Sequence, residues 1–118
     1  MNTRKIGSEG EDMAIDFLAN LDYVIIERNV HLGKIGEIDI VACDPKDGCV
    51  VFVEVKYNRA SQGSFAAPEF RCGASKMRQL VKLAQIYIKR NNLYGKPVRI
   101  DVIAIDKNGI RHFKNCSI

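Results

Sequence analysis

The chain has little that would mark a secreted, metal-stapled or membrane protein. Its four cysteines, Cys43, Cys49, Cys72 and Cys116, form no CxxC pair and no regular spacing. They are read as spare thiols of a reducing compartment rather than as zinc ligands with His31 or His112. There is no charged start followed by an apolar signal segment, and no apolar run approaching the length of a membrane span. A cytoplasmic protein without a membrane partner is expected. No internal repeat, low-complexity tract or linker interrupts the sequence. At 118 residues and 47% hydrophobic, residues 1–118 suit one domain with a real core and are too few for two. The charge bias is mild: 18 Lys and Arg against 14 Asp and Glu give a formal +4, which suits a polyanionic partner without requiring one.

What is present alternates between two periodicities. Residues 8–21, "SEGEDMAIDFLANL", place Ala14, Ile15, Phe17, Leu18 and Leu21 at helical spacing, so an amphipathic helix is expected. Asp12 and Asp16 fall on its far side, whereas Glu11 projects with Ile15 and Leu18 and faces inward. "DYVIIERNV" reads as a first strand, "HLGKIG" as a turn, "EIDIVACD" as a second strand, "PKDG" as a turn and "CVVFVEVKY" as a third strand. Residues 58–74, with Gly63, Pro68 and Gly73, read as a long loop and the segment expected to move most. A helix capped by Ser75 runs to about Asn91. It gathers Leu80, Val81, Ala84, Tyr87 and Ile88 on one face and Arg78, Lys82, Gln85 and Lys89 on the other. Lys76 stands apart, near the line of Leu80 and Tyr87. A fourth strand in "GKPVRIDVIAID" and a short edge strand in "IRHFKNC" complete an α/β chain.

The third strand carries the question of function. Alternation puts Val50, Phe52, Glu54 and Lys56 on one face and Val51, Val53, Val55 and Tyr57 on the other. A strand that is apolar on both faces belongs in the middle of a covered sheet, so charges at its end need partners. Glu37 and Asp39 on the neighbouring strand, and Glu11 on the core side of the first helix, are placed to join them. Three or four carboxylates beside one lysine repel strongly unless a divalent cation sits among them, and hard oxygen ligands select Mg²⁺ or Mn²⁺. Glu54 with Lys56 alone would be an ordinary surface ion pair. Glu37 has two readings, an extra metal or water ligand and a hairpin residue paired with Lys34. Tyr57 and Tyr87 are read as packing residues, and His31 and His112 as structural or exposed.

"GEIDIV" followed by "VVFVEVK", with "GEDMA" upstream, resembles the PD-(D/E)XK nuclease superfamily. Within it the chain resembles the bacterial YraN family, which is similar to archaeal Holliday junction resolvases. The resemblance implies a restriction endonuclease-like mixed β-sheet of about five strands flanked by helices on both faces. It implies a Mg²⁺- or Mn²⁺-dependent endonuclease acting on DNA, with branched or damaged DNA in repair or recombination as substrate. Carried over by position, Glu11, Asp39, Glu54 and Lys56 are the catalytic residues. Glu11, Asp39, Glu54 and the Val55 carbonyl are metal ligands, and Lys56 orients or deprotonates the attacking water. Arg59, Lys76, Arg78 and Lys82 are candidates for gripping nucleic acid, although a basic helix face is also an ordinary solvated surface. Relatives commonly carry an arginine where this chain has Asn58, with Arg59 displaced by one, and another where His31 stands. A junction-resolving activity implies a homodimer with two active sites. The alternative is a nucleic-acid-binding protein that keeps the fold without cleaving, and a third reading has the acids merely pairing with Lys56 and Lys76 in a partner-binding protein.

Overall fold

The computed structural model describes residues 3–58 and 73–115, with the side chains of residues 3–7 left aside. The elements run α1 (Thr3–Asn20), β1 (Val24–His31), β2 (Glu37–Cys43), β3 (Val50–Asn58), α2 (Ala74–Arg90), β4 (Val98–Asp106) and β5 (Gly109–Phe113). The strands form one sheet in the order β1-β2-β3-β4-β5. Neighbours are antiparallel except β3 and β4, which are parallel and joined through α2. Hairpins need only short turns, whereas a parallel pair needs a crossover long enough to hold a helix. No helix among the described residues is long and apolar enough to cross a membrane.

Each helix covers one face. Ala14 and Leu18 of α1 pack with Tyr23, Ile40, Ala42, Val51, Val53, Ile103 and Ile105. Leu80, Leu83, Ala84 and Tyr87 of α2 pack with Val30, Leu32, Ile38, Val41, Val50, Phe52 and Ile100. Alternating residues of β3 thus serve both cores, and its first four residues are fully buried, as expected of a strand covered on both sides. This is a mixed five-stranded α/β sheet of the restriction endonuclease-like kind.

Three local expectations are corrected. The first helix begins at Thr3, and Leu21, beyond its end, is exposed. Ser75 is not the cap of α2: Gly73 occupies that position with no side-chain cap bond, and Ser75 lies inside the first turn. The apolar face of α2 also includes Leu83, which the five-residue stripe omitted. The 58–74 loop falls, beyond its end residues, outside the described residues.

Two contacts set the position of the elements. Gly10 of α1 sits against Tyr57 of β3, so closely that a Cβ there would lie 2.7 Å from the Tyr57 Cβ. At the other end of the sheet, Arg99 is buried and its guanidinium is fully engaged. It donates to Asp101 through Nε and Nη2 (2.9 and 3.0 Å), to Asp44 (2.9 Å) and Asp47 (2.8 Å) through Nη1, and to the Tyr23 hydroxyl (2.9 Å). Tyr23 in turn donates to Asp44 at 3.0 Å. Asp101 also meets His112 Nε2 at 2.7 Å and accepts from the Asn115 backbone N–H at 3.0 Å. Burial alone would push the Asp101 carboxyl up, but the hydrogen bonds from His112, Arg99 and Asn115 hold it below its ordinary range. No buried side-chain nitrogen or oxygen lacks a partner among the described residues.

Two stability predictions follow from magnitudes. Gly10→Ala gains about 1 kcal/mol of helix propensity but forces α1 off β3, an overpacking cost of about 1–3 kcal/mol; a lowered Tm in thermal unfolding is expected. Arg99→Met leaves two buried carboxylates without their cation and should cost about 3–5 kcal/mol by chemical denaturation.

Candidate metal centre

The centre forms where β2 leaves β3. Their pairing ends at Ile40↔Val53, whereas β3 stays paired with β4 as far as Asn58↔Asp106. From Glu54 onward one edge of β3 is open. The strand partners deviate here as well: Ile38 joins the α2 core and Ile40 the α1 core although they are two apart, so β2 breaks its alternation at Asp39. On β1, Asn29, flanked by the Arg28↔Ile40 and Val30↔Ile38 pairs, takes a left-handed φ of 54°, a conformation asparagine tolerates better than most residues. Into the gap the Asp39 carboxylate turns and accepts the Val55 N–H at 2.8 Å, replacing the bond that a continuing β2 would have made. In an extended strand the N–H and C=O of one residue point toward the same neighbour, so the Val55 carbonyl faces the same gap.

Carboxylates converge on this opening from three elements. Glu11 of α1, Glu37 of β2 and Asp39 each place a carboxylate oxygen within 4.8 Å of the others. Glu54 of β3 lies outside that spacing but is close enough to act strongly on Asp39. The Asp39 carboxyl is pushed up from 3.8 to about 7, first by burial, then by Glu54, with smaller contributions from Glu11 and Glu37, against the opposing Val55 N–H. Glu11 is also raised, by burial above all, with Arg28 opposing.

Three basic side chains stand around the rim. Arg28 is 3.5 Å from Glu11 and holds Asp12 at 2.8 Å; His31 Nε2 is 3.2 Å from Glu37; Lys76 Nζ is 3.6 Å from Glu54. Among the described residues Asp39 has no cation. The donor set, four carboxylates and a strand carbonyl, consists wholly of hard oxygens, and the mutual repulsion at Asp39 is the kind that a divalent cation relieves. The residues therefore fit Mg²⁺ or Mn²⁺.

The expected site residues are distributed as follows. Glu11 and Asp39 are brought together, with Glu54 and Val55 beside Asp39. Lys56 follows two residues after Glu54 on β3 and is half-buried. Lys76 reaches the site through Glu54, whereas Arg78 and Lys82 lie exposed on α2. Arg59 is outside the described residues. Glu37 stands with Glu11 and Asp39 and pairs with His31, not with Lys34. His31, expected to be structural or exposed, is an exposed residue with a partner in the cluster, and Arg28 was given no role. The facing pair His31↔Glu37 follows from hairpin register and was the signal for the first; the Arg28 contact depends on how α1 crosses β1 and had none. Cys43 and Cys49 are free and join no metal-competent cluster among the described residues; Cys72 and Cys116 lie outside them.

Residues 10–105 match the family described as "Uncharacterised protein family UPF0102". The chain belongs to this family. Among its relatives, a UPF0102 protein of Persephonella marina is 43% identical over 109 residues, covering 92% of this chain and 90% of that protein. One from Pelobacter propionicus is 40% identical over 97% of this chain and 83% of its own length. One from Thermodesulfovibrio yellowstonii is 42% identical over 94% of both. A solved structure described as "Crystal structure of SSO0001" superposes with a TM-score of 0.47 at 18% identity, over 96% of this chain and 52% of that one, a likeness too loose to carry a functional argument.

In this UPF0102 chain the raised Asp39 has a definite sign for stability without metal. Between its ordinary 3.8 and about 7 the folded state holds a proton that the unfolded state has lost, so Asp39 makes stability fall as pH rises through that window, and the full penalty is present above it. Asp39→Asn removes the penalty. In EDTA the variant should be more stable than wild type at pH 8 by roughly 2–4 kcal/mol, with the difference shrinking toward pH 4; equal urea midpoints at pH 8 would contradict the crowding of charge at Asp39.

Proposed function

We propose that this UPF0102 chain is a cytoplasmic, Mg²⁺- or Mn²⁺-dependent endonuclease that hydrolyses phosphodiester bonds in DNA, with branched or damaged DNA as the substrate class. The observation that carries this is the set of hard carboxylates gathered where β2 leaves β3, with Asp39 held at the gap by the Val55 N–H. A protein that only bound nucleic acid would gain nothing from carboxylates that repel phosphate. A bound divalent ion would supply charge to the scissile phosphate and lower the pKa of a water. Glu11, Asp39 and Glu54, with the Val55 carbonyl and Glu37, would hold it. Lys56, on the same strand face as Glu54 and roughly 7 Å along it, would orient the attacking water and offset the negative charge that builds on the phosphate oxygens. The exposed Arg78 and Lys82, with Arg59, would track the backbone electrostatically. Cutting paired strands of a branched substrate needs two such sites, so the protein acts as a twofold homodimer.

The test is cleavage of plasmid, flap, four-way junction and single-stranded DNA with Mg²⁺ or Mn²⁺. Wild type should cut, and Glu54→Ala and Lys56→Ala should each lose at least about 100-fold in rate, the scale at which removal of an electrostatic catalytic group is felt. Cleavage that survives both substitutions would remove the site from the reaction. Salt-dependent DNA binding without any cleavage would instead support the non-catalytic reading.

A further inference from the structure

The basic side chains of the rim are not equivalent. Arg28 is anchored by Asp12 at 2.8 Å as well as reaching Glu11, so loss of its cluster partner would leave it in place. His31 lies at the outer edge of the site, with a side chain 74% exposed. Lys76 has Glu54 as its one carboxylate partner among the described residues, at 3.6 Å, a distance too long for a hydrogen bond and therefore a pairing by charge alone. It projects from the first turn of α2 on four flexible methylenes and remains 39% exposed, whereas Glu54 is only 13% exposed. Glu54 is in turn the carboxylate acting most strongly on Asp39. Lys76 thus neutralises the acid that most disfavours the empty cluster, and does so by its most easily broken contact.

We propose that Lys76 is a displaceable counter-cation: it occupies Glu54 when the centre is empty, and is released to a DNA phosphate when a divalent cation takes Glu54. The inference rests on the metal-dependent reading above. Lys76 and the ion compete for Glu54, because a divalent cation bound there outweighs the single charge of an ammonium 3.6 Å away and leaves the carboxylate little charge to hold it. A freed ammonium within reach of the gap, half-exposed and without another carboxylate among the described residues, has the backbone phosphate as its natural partner. One side chain then links metal loading to DNA binding with no movement of the backbone.

The experiment compares wild type with Lys76→Met, Lys76→Arg and, as a control for net charge at the opposite end of the sheet, Lys96→Met, an exposed residue just before β4. Mn²⁺ binding is measured calorimetrically with and without DNA held in uncleaved form by a phosphorothioate linkage, and the salt dependence of duplex binding is measured in Ca²⁺. Lys76→Met should bind Mn²⁺ about two- to fivefold more tightly without DNA, the scale of one half-exposed ion pair. The same variant should lower the slope of log affinity against log salt by about 1. Lys76→Arg and Lys96→Met should behave as wild type in the metal titration. Lys76→Met that changes neither quantity, or only one of them, overturns the counter-cation role while leaving the metal centre standing. Wild type that binds no Mn²⁺ with or without DNA overturns both the role and the metal-dependent reading.

Discussion

The hydrogen bond from the Val55 N–H to Asp39 organises this end of the molecule. β3 is the central strand, and where β2 departs after Ile40↔Val53 a half-buried peptide N–H is left facing the gap. An unsatisfied group of that kind costs about 1–3 kcal/mol. A serine or asparagine could have accepted the bond without charge. The carboxylate does so at the cost of being half-buried and facing Glu54, Glu11 and Glu37, so the residue that satisfies the backbone is also the one whose ionisation the site resists. Splayed strands and crowded acids are therefore a single feature. The gap exposes the Val55 edge, the edge calls for an acceptor, and the acceptor sits where the other acids meet.

The two ends of the sheet handle buried charge in opposite ways. At the Arg99 end, one guanidinium meets three carboxylates and a tyrosine at 2.8–3.0 Å, and Asp101 is completed by His112 and a backbone N–H. Asp44 and Asp101 are both held low, because their hydrogen bonds outweigh burial. At the Asp39 end Arg28, His31 and Lys76 stand off at 3.2–3.6 Å from the cluster acids, and burial together with neighbouring carboxylates wins. A network that only holds strands together is expected to be saturated, as at Arg99. Perturbed acids left short of partners in an open part of the sheet are the arrangement associated with sites that do chemistry.

Much of this was legible in the residues. β3 read as central because neither of its faces is polar, and Glu11 read as inward from helical phase, because its neighbours at i+4 and i+7 are Ile15 and Leu18. Both signals are local and periodic. What escaped was decided at long range. Arg99 and Asp101 sat in a run that read as an ordinary strand, and nothing in that run shows that Arg99 meets Tyr23, 76 residues away, or Asp44, 55 residues away. Alternation alone placed Glu37 and Asp39 on one face. Their carboxylates do converge, but through a break in alternation that takes Ile38 and Ile40 to opposite cores. Ser75 looked like a cap from composition, yet Gly73 holds the position in an extended conformation with no side-chain cap bond, and Ser75 falls inside the first turn.

The contrast between the ends also explains how a 118-residue chain carries an acid cluster at all. Net stabilities of small domains are only of order 5–15 kcal/mol, and one buried, repelling carboxylate consumes a sizeable part of that. The Arg99 network bridges the approach to β1, the end of β2, β4, β5 and the chain beyond β5 at Asn115, so every strand but β3 is tied directly, and β3 is held by ladders on both sides up to Val53. With that end fixed, opening β2 from β3 at the other end involves only the few β2 residues before Ile40, while Val41–Cys43 stay paired, and the sheet does not unzip. The close contact of Gly10 with Tyr57 then sets how near α1 comes, and through it where Glu11 lies relative to Asp39. The position of the acids is thus enforced by packing and by the distant polar network, because the acids' own interactions would push them apart.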